Sequence, residues 1–210
     1  MLNNFLITLI PKLIVLFVSF PVHEFSHALV ADMFGDDTPR RAGRLTLFPP
    51  AHWDVLGSLL LLISFIGWAK PVPINPYVLR RRSRWAEMWV SLAGPMSNLG
   101  LAILAAIPLR LGLIPDLPSP ISILPPLFVI LYYFVYINLV LAVFNLFPFS
   151  PLDGEKVLTP FLPPSFANFM DRIRPYGPIF LLAVVFLLPY LGIDILSIII
   201  QPIMNLLLPL

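Results

Sequence analysis

The sequence predicts an all-α polytopic membrane protein. Of its 210 residues, 59% are hydrophobic and 11% are charged, whereas a soluble globular chain has about 25% charged residues. Long uncharged runs recur along the chain, and a run of roughly 18 or more apolar residues can cross a bilayer as a helix. These runs are continuous and do not alternate, which excludes a transmembrane β-barrel, whose strands alternate apolar and polar residues.

The same composition excludes several other classes of protein. The formal net charge of +2 is too small to indicate a nucleic-acid partner, and no basic patch is interleaved with aromatic residues as in a single-strand binder. The chain contains no cysteine, which excludes disulfides and thiolate metal sites. The N-terminus lacks a basic region and a small-residue cleavage site, so we do not expect a cleaved signal peptide.

The first half of the chain contains one long apolar segment and one short one. Residues 5–34 are long enough for the first span. Residues 43–49, GRLTLFP, alternate enough to predict a short strand or hairpin on the cytoplasmic side. The apolar run at 56–68 has only 13 residues, which is short for a span and fits a re-entrant segment.

The second half predicts the remaining spans. Apolar segments cover residues 85–111 and 123–149 and are joined by a Pro-rich loop. A polar stretch at 153–175 precedes two further apolar segments, 176–191 and 193–210, which are two short spans or one span and an interfacial helix. We therefore expect four to six transmembrane helices in a single integral-membrane domain, residues 1–210, with a catalytic core at about 5–160.

The distribution of basic residues predicts the orientation in the membrane. They cluster at 40–44, 70–84 and 172–174, and the loop at 112–122 has none. Cytoplasmic loops carry an excess of Lys and Arg, which places 35–84 and 150–175 in the cytoplasm of a multi-pass cell-membrane protein. This arrangement requires that 56–68 enters the membrane without crossing it.

The first apolar segment contains the sequence His23-Glu24-Phe25-Ser26-His27. On a helix, residues four apart share a face, so both imidazoles can reach one ion. H-E-x-x-H is the pattern of zinc metalloproteases, in which the carboxylate takes a proton from a zinc-activated water. A helix packed through a polar patch is the simpler alternative, but ionisable groups in a span cost about 2.5–3.5 kcal/mol each and usually mark function. We predict a Zn²⁺ site with Glu24 as the base.

A catalytic zinc ion usually has three protein ligands and a water, and two residues are candidates for the third. Asp153 lies at the cytoplasmic end of an apolar segment, after Pro148 and Pro151, which interrupt the helix and let the chain fold back. The predicted orientation puts Asp153 on the same side as the histidine motif, and we favour it. His52, beside Asp54, is the alternative.

Two other polar groups lie inside apolar segments. Asn145 precedes Asp153 by eight residues, and its amide is a candidate donor to the oxyanion of peptide hydrolysis; a helix cap or interhelical hydrogen bond is an equal alternative. Residues 94–98, GPMSN, interrupt the segment at 85–111. There we favour close helix packing, with Asn98 bonding across the interface.

Four motifs in one order resemble the site-2 protease family of intramembrane zinc metalloproteases. They are HEFSH (23–27), GWAKPVPINP (67–76), AGPMSN (93–98) and NLFPFSPLDG (145–154). The resemblance is to the small prokaryotic branch of the family, without PDZ or CBS domains, for which this chain has no room. It implies that His23, His27 and Asp153 are zinc ligands and that Glu24 is the base. It also implies that transmembrane helices are the substrates.

Two positions depart from the pattern of that branch. Phe48 stands where Asn is frequent, and Glu155 stands where a second Gly is frequent. Neither change removes a ligand or the base, so they bear on substrate preference. The competing functional hypothesis is a metal-binding membrane protein without protease activity, or a regulatory pseudo-protease, which would not need Glu24. Oligomeric state is not indicated.

Overall fold

The computed structural model describes residues 9–64, 67–114 and 126–208. The described chain is mostly helical. In order, its helices are α1 (Leu9–Met33), α2 (Thr38–Arg41), α3 (Val55–Ser64), α4 (Pro76–Arg82), α5 (Ala86–Arg110), α6 (Leu127–Asn145), α7 (Asp153–Leu158), α8 (Ser165–Tyr190) and α9 (Ile195–Leu207), with short 3₁₀ turns at Pro49–His52, Thr159–Phe161 and Arg174–Tyr176.

Among the described residues, four helices are long and apolar enough to cross a membrane: α1, α5, α6 and α8. This confirms the prediction of an all-α polytopic protein, at the lower end of the expected four to six spans. Helix α9 has 13 residues, or about 20 Å of helix, which is short for a span. Most of the loop predicted at 112–122 lies outside the described residues.

Helix α1 widens just before the HEFSH motif. Residues Val15–Ser19 form a π-helical turn, and Pro21 follows at the start of the regular helix. Proline has no N–H to donate to the carbonyl four residues earlier, so the helix adjusts its hydrogen bonding around Pro21. The adjusted turn sets the rotation at which the next residues, beginning with His23, face the interior.

The segment predicted as re-entrant folds back on itself. Helix α3 has 10 residues, about 15 Å of helix, and the residues flanking the segment, Trp53 and Ala69, form an antiparallel bridge. The Gly67 backbone packs so closely on Leu61 that a Cβ at Gly67 would lie 2.5 Å from the Leu61 Cβ. The two ends of the segment therefore lie side by side, as expected of a segment that enters and leaves on the same side.

The strand predicted over 43–49 is wrong. These residues follow an irregular path, and within the described part of the chain the only β-pairing is the isolated Trp53–Ala69 bridge. A strand needs a neighbouring backbone, and here other partners satisfy the polar groups. The N–H of Arg44 donates to Pro39 O at 2.9 Å, and that of Phe48 donates to the Thr46 hydroxyl at 3.1 Å.

Helix α5 is the centre of the bundle and packs against both α1 and α6. One apolar cluster joins α5, α6 and α9 through buried residues that include Ala102, Val135 and Ile200. A second joins α1 to α3 and α6. In contrast, only 6% of the apolar window of α8 is buried, so this helix presents most of its surface outward, as expected of a span that faces lipid.

Candidate active site

The residues predicted from the sequence as metal ligands lie together. His23 and His27 are one turn apart on α1, and their Nε2 atoms are 3.0 Å apart. The Asp153 carboxylate, at the start of α7, lies 3.3 Å from His23 Nε2 and 3.2 Å from His27 Nε2. In a tetrahedral zinc site, bonds of about 2.0–2.1 Å from the ion to each ligand place the ligand atoms roughly 3.3 Å from one another. The distances among the two Nε2 atoms and the Asp153 oxygen therefore fit zinc.

The hydrogen bonds of His27 determine where its proton lies. His27 Nδ1 is 2.6 Å from the backbone oxygen of Val90, which can only accept a hydrogen bond. Nδ1 therefore carries the proton and donates it, and Nε2 presents a lone pair to the cluster. A donor bond from the second ring nitrogen is the usual support of a metal-bound histidine.

His23 is oriented by two buried amides. Its Nδ1 is 2.6 Å from Asn98 Oδ1, the Asn98 amide donates to Asn138 Oδ1 at 3.0 Å, and the Asn138 amide donates to Phe134 O at 2.8 Å. The direction of the whole chain is fixed because the Phe134 carbonyl can only accept. Nδ1 of His23 is therefore the donor, and its Nε2 also presents a lone pair. Three lone pairs that converge need a shared proton or a cation between them.

Gly94 gives the two imidazoles their space. A Cβ on Gly94 of α5 would lie 2.6 Å from two ring atoms of His23 and closer still to His27 Nε2. Any larger residue at this position would push α5 and α1 apart or turn the rings. Gly94 of the AGPMSN motif thus leaves the space in which the donor atoms of His23 and His27 can face one ion.

Asp153 reaches the cluster because the chain turns back after α6. The backbone of Gly154 lies against the carbonyls of Leu146 and Phe147, where a Cβ would clash. Burial raises the pKa of Asp153, but positive charge held between its carboxylate and the rings of His27 and His23, as a shared proton or a cation, brings that pKa well below its ordinary value. The carboxylate is therefore ionised, as a metal ligand must be.

Glu24 faces the same space from α1. The side chain is buried, and its Oε2 accepts a hydrogen bond of 3.1 Å from the backbone N–H of Val72. Arg44 Nη2 lies 3.9 Å from the same oxygen. A carboxylate with one fixed oxygen keeps acceptor capacity for a proton, which is what a base next to a water needs.

A cavity of about 270 Å³ opens onto these groups. It is large enough for a short stretch of extended peptide, and its walls combine the polar cluster with apolar side chains from α1, α5, α6 and the segment at 67–74. Such a combination is typical of substrate sites. The lining includes Phe20, Trp68, Val72, Val90, Leu141 and Lys156.

The other two candidate residues, Asn145 and His52, lie in different places. Asn145 lines the cavity, and its amide donates to Leu141 O in its own helix at 2.9 Å. His52, the alternative third ligand, lies outside the cluster: its Nε2 is 2.7 Å from Thr46 O, and its Nδ1 is 3.4 Å from Arg44. The residues of the described chain that group as potential metal ligands are His23, His27 and Asp153.

Glu155, which departs from the family pattern, bridges to the fourth span. Its buried carboxylate accepts hydrogen bonds from the Arg174 guanidinium, with Nε at 2.8 Å and Nη2 at 2.6 Å. A glycine would leave Arg174 without this partner. The substitution thus ties the helix that begins with Asp153 to α8, which otherwise packs little against the bundle.

Sequence analysis did not predict the supporting contacts of four residues: Gly94, Asn98, Asn138 and Val72. Gly94 and Asn98 were expected to serve helix packing, and their contacts to the histidines were not predicted. The signal in the sequence that could have found Asn138 is an amide within an otherwise apolar span, as at Asn98. The role of Val72 is carried by its backbone, which no residue pattern reveals.

Comparison with known proteins gives the following matches. Residues 11–114 match Peptidase family M50. "Putative zinc metalloprotease YwhC" of Bacillus subtilis is 39% identical over 172 residues, covering 81% of this chain and 78% of the relative. Rip2 of Mycobacterium tuberculosis, named in the same way, is 32% identical over 185 residues, 83% of this chain and 66% of the relative. MJ0611 of Methanocaldococcus jannaschii, also so named, is 31% identical over 157 residues, 74% of this chain and 73% of the relative. No solved structure matches the chain.

Proposed function

Since this chain belongs to peptidase family M50, the site-2 protease family, and is an intramembrane zinc metalloprotease, we propose that His23, His27 and Asp153 hold its zinc ion. The observation that carries the proposal is the convergence of three donor atoms 3.0–3.3 Å apart. The protonated Nδ1 atoms of both histidines and the ionised Asp153 supply the donor set that zinc takes in catalytic sites. When bound there, zinc supplies a water of lowered pKa and polarises the scissile carbonyl.

Glu24 is the general base in this proposal. Its carboxylate takes the proton of the attacking water and later returns it to the leaving amine. The Val72 N–H holds one oxygen at 3.1 Å, which leaves the other oxygen for proton transfer. A metal-binding protein without protease activity has no use for a carboxylate held at this position, so Glu24 favours hydrolysis over that alternative.

The proposed substrates are transmembrane helices of other proteins. A helical carbonyl is already hydrogen-bonded within its own chain, so the substrate must unwind before its peptide bond is attacked. The cavity, with apolar walls around the polar cluster, suits an unwound apolar segment. Residues 43–49 form no strand, so they offer no sheet edge that could hold the unwound segment.

Loss of one proposed ligand should empty the site. We expect about one zinc per purified, detergent-solubilised wild-type chain and a fall to below about one tenth in Asp153→Ala, because two imidazoles remain where catalytic zinc needs three ligands. Metal analysis of folded protein measures both values. His52→Asn is the matched control and should keep its zinc. Full zinc in Asp153→Ala would rule out Asp153 as the third ligand.

Asn145 is proposed as an oxyanion donor. One amide proton bonds to Leu141 O, and the second is free to donate into the cavity that Asn145 lines. Removal of such a donor usually lowers kcat about 10²–10³-fold. We expect a loss of that size in Asn145→Ala, with zinc content and KM nearly unchanged, in steady-state cleavage of a single-span model substrate. An unaltered kcat would leave the bond to Leu141 as the residue's role.

The site is proposed to face the cytoplasmic side of the cell membrane. The linkers between α1 and α5 and between α6 and α8 carry basic residues, and segment 67–75 and Asp153 of the site lie in the same linkers, whereas the loop at 112–122 has no Lys or Arg. The chain has no cysteine, so single-cysteine variants report position cleanly. In intact cells, Ser119→Cys should react with a membrane-impermeant thiol reagent and Ser83→Cys should not; the reverse pattern would invert the orientation.

A further inference from the structure

The third histidine of the chain is buried but lies outside the metal cluster. His52 has no exposed surface, and its Nε2 lies 2.7 Å from Thr46 O, which can only accept. Burial, together with the nearby Arg44 charge, lowers the pKa of His52. The ring is therefore neutral, with its proton on Nε2 and a lone pair on Nδ1 directed at Arg44 Nη2, 3.4 Å away.

Arg44 is also buried and donates hydrogen bonds to the extended segment 67–75. Its Nη1 donates to Pro71 O at 3.2 Å, and its Nη2 donates to Lys70 O. His52 holds the same segment through its backbone, since the Lys70 N–H donates to His52 O at 2.8 Å. One guanidinium thus fixes two successive carbonyls, and the fork geometry that allows this is particular to arginine.

The carbonyls of Lys70 and Pro71 directly precede Val72, whose N–H binds the proposed base, Glu24. Val72 lies between Pro71 and Pro73, which have no N–H groups, so its own N–H is the donor available there, and it bonds to Glu24 Oε2 at 3.1 Å. The segment is not part of a sheet. Its other anchors are the bridge at Ala69 and the Asn75 N–H, which donates to Asp36 at 2.6 Å.

We propose that Arg44 and His52 are positioning residues for the catalytic base: they hold segment 67–75 so that the Val72 N–H fixes the Glu24 carboxylate. Arg44 Nη2 is 3.9 Å from Glu24 Oε2, too long for a hydrogen bond but close enough for charge attraction. The Arg44 charge therefore acts on Glu24 directly, and its hydrogen bonds to the segment act through Val72. The proposal rests on Glu24 being the base.

Loss of the Arg44 hydrogen bonds to the segment should reduce the rate of cleavage and leave the zinc content unchanged. Neither Arg44 nor His52 contacts a proposed zinc ligand, so zinc content should stay near one per chain. A misplacement of about 1 Å in a catalytic group costs on the order of 10²-fold in rate. We therefore expect Arg44→Met to lower kcat about 10²-fold and to change KM less than about threefold. Arg40→Gln, at an exposed arginine of α2 that pairs with Asp32, should behave as wild type.

Two His52 variants test the same idea if Arg44→Met does not fold. Asparagine can place an acceptor near the position of Nδ1, whereas leucine cannot. His52→Asn should retain most of the wild-type kcat, and His52→Leu should lose about as much as Arg44→Met. Equal kcat values for the two variants would overturn the proposal, as would a zinc-loaded Arg44→Met with wild-type kcat.

A measurement independent of activity completes the test. Hydrogen exchange, followed by mass spectrometry on the detergent-solubilised zinc protein, should show faster exchange of the 67–75 amides in Arg44→Met, while α1 keeps its protection. Unchanged exchange in this segment would overturn the proposal. Glu24→Gln separates the two hypotheses: if it still cleaves, the assignment of the base has failed, whereas a dead Glu24→Gln beside a fully active Arg44→Met refutes only the positioning role.

Discussion

Replacing Glu24 by glutamine should abolish cleavage of a transmembrane substrate while zinc remains bound. Glutamine has nearly the same shape and keeps an oxygen that can accept the Val72 N–H bond of 3.1 Å, but it cannot take a proton at neutral pH. General acid–base catalysis contributes about 10²–10⁴-fold. Because the same group is proposed to serve both proton transfers, we expect a loss near the upper end of that range.

Single-turnover cleavage and metal analysis of the same preparation measure this effect. Zinc content should match that of the wild type, since Glu24 is not one of the three converging donors. Glu87→Gln is a matched control, because that carboxylate pairs with Arg80 outside the cavity and should have little effect on the rate. If Glu24→Gln cleaves within about tenfold of the wild-type rate, another group must be the general base.

Gly94→Ala should damage the metal site although alanine is a better helix former than glycine. The added Cβ would lie 2.6 Å from the His23 ring and nearer to His27 Nε2, a separation that atoms do not tolerate. Overpacking a close contact costs about 1–3 kcal/mol, and a change of that size in the bound state lowers zinc affinity roughly 5- to 150-fold. Loss of activity should follow loss of zinc.

Gly100→Ala provides the matched control on the same helix. A Cβ at Gly100 meets nothing within 4 Å, so this change should leave zinc affinity unchanged. It should also stabilise α5 by about 0.5–1 kcal/mol through helix propensity. Zinc affinity is measured by competition with a chromogenic chelator. Equal affinities in the Gly94 and Gly100 variants would show that the histidines do not depend on the space beside Gly94.

The supporting residues also explain why the motifs are longer than the ligands they contain. AGPMSN includes Gly94, which leaves space for the histidine rings. It also includes Asn98, whose Oδ1 lies 2.6 Å from His23 Nδ1 and fixes the tautomer of that ring. GWAKPVPINP supplies the Val72 N–H to Glu24. In NLFPFSPLDG, Gly154 lets the chain fold back on α6. Each motif therefore contributes a contact to the same cluster.

The sequence by itself determined the class of the protein, the spans α1, α5 and α6, and the identity of the chemical groups. These depend on local properties: apolar length sets a span, and a four-residue spacing sets which imidazoles share a helix face. His23, Glu24 and His27 could be named for that reason. Asp153 was favoured over His52 by an argument about topology, and the structure brings Asp153 within 3.3 Å of both histidines.

Only the tertiary structure decided the contacts made between segments distant in the chain. Residues 43–49 alternate like a strand, but no neighbouring strand pairs with them, and local turn carbonyls and side chains satisfy their polar groups instead. Asn98 is 75 residues from His23, and Val72 is 48 residues from Glu24. No spacing rule connects such positions, because the packing of α5 and of segment 67–75 against α1 creates the contacts.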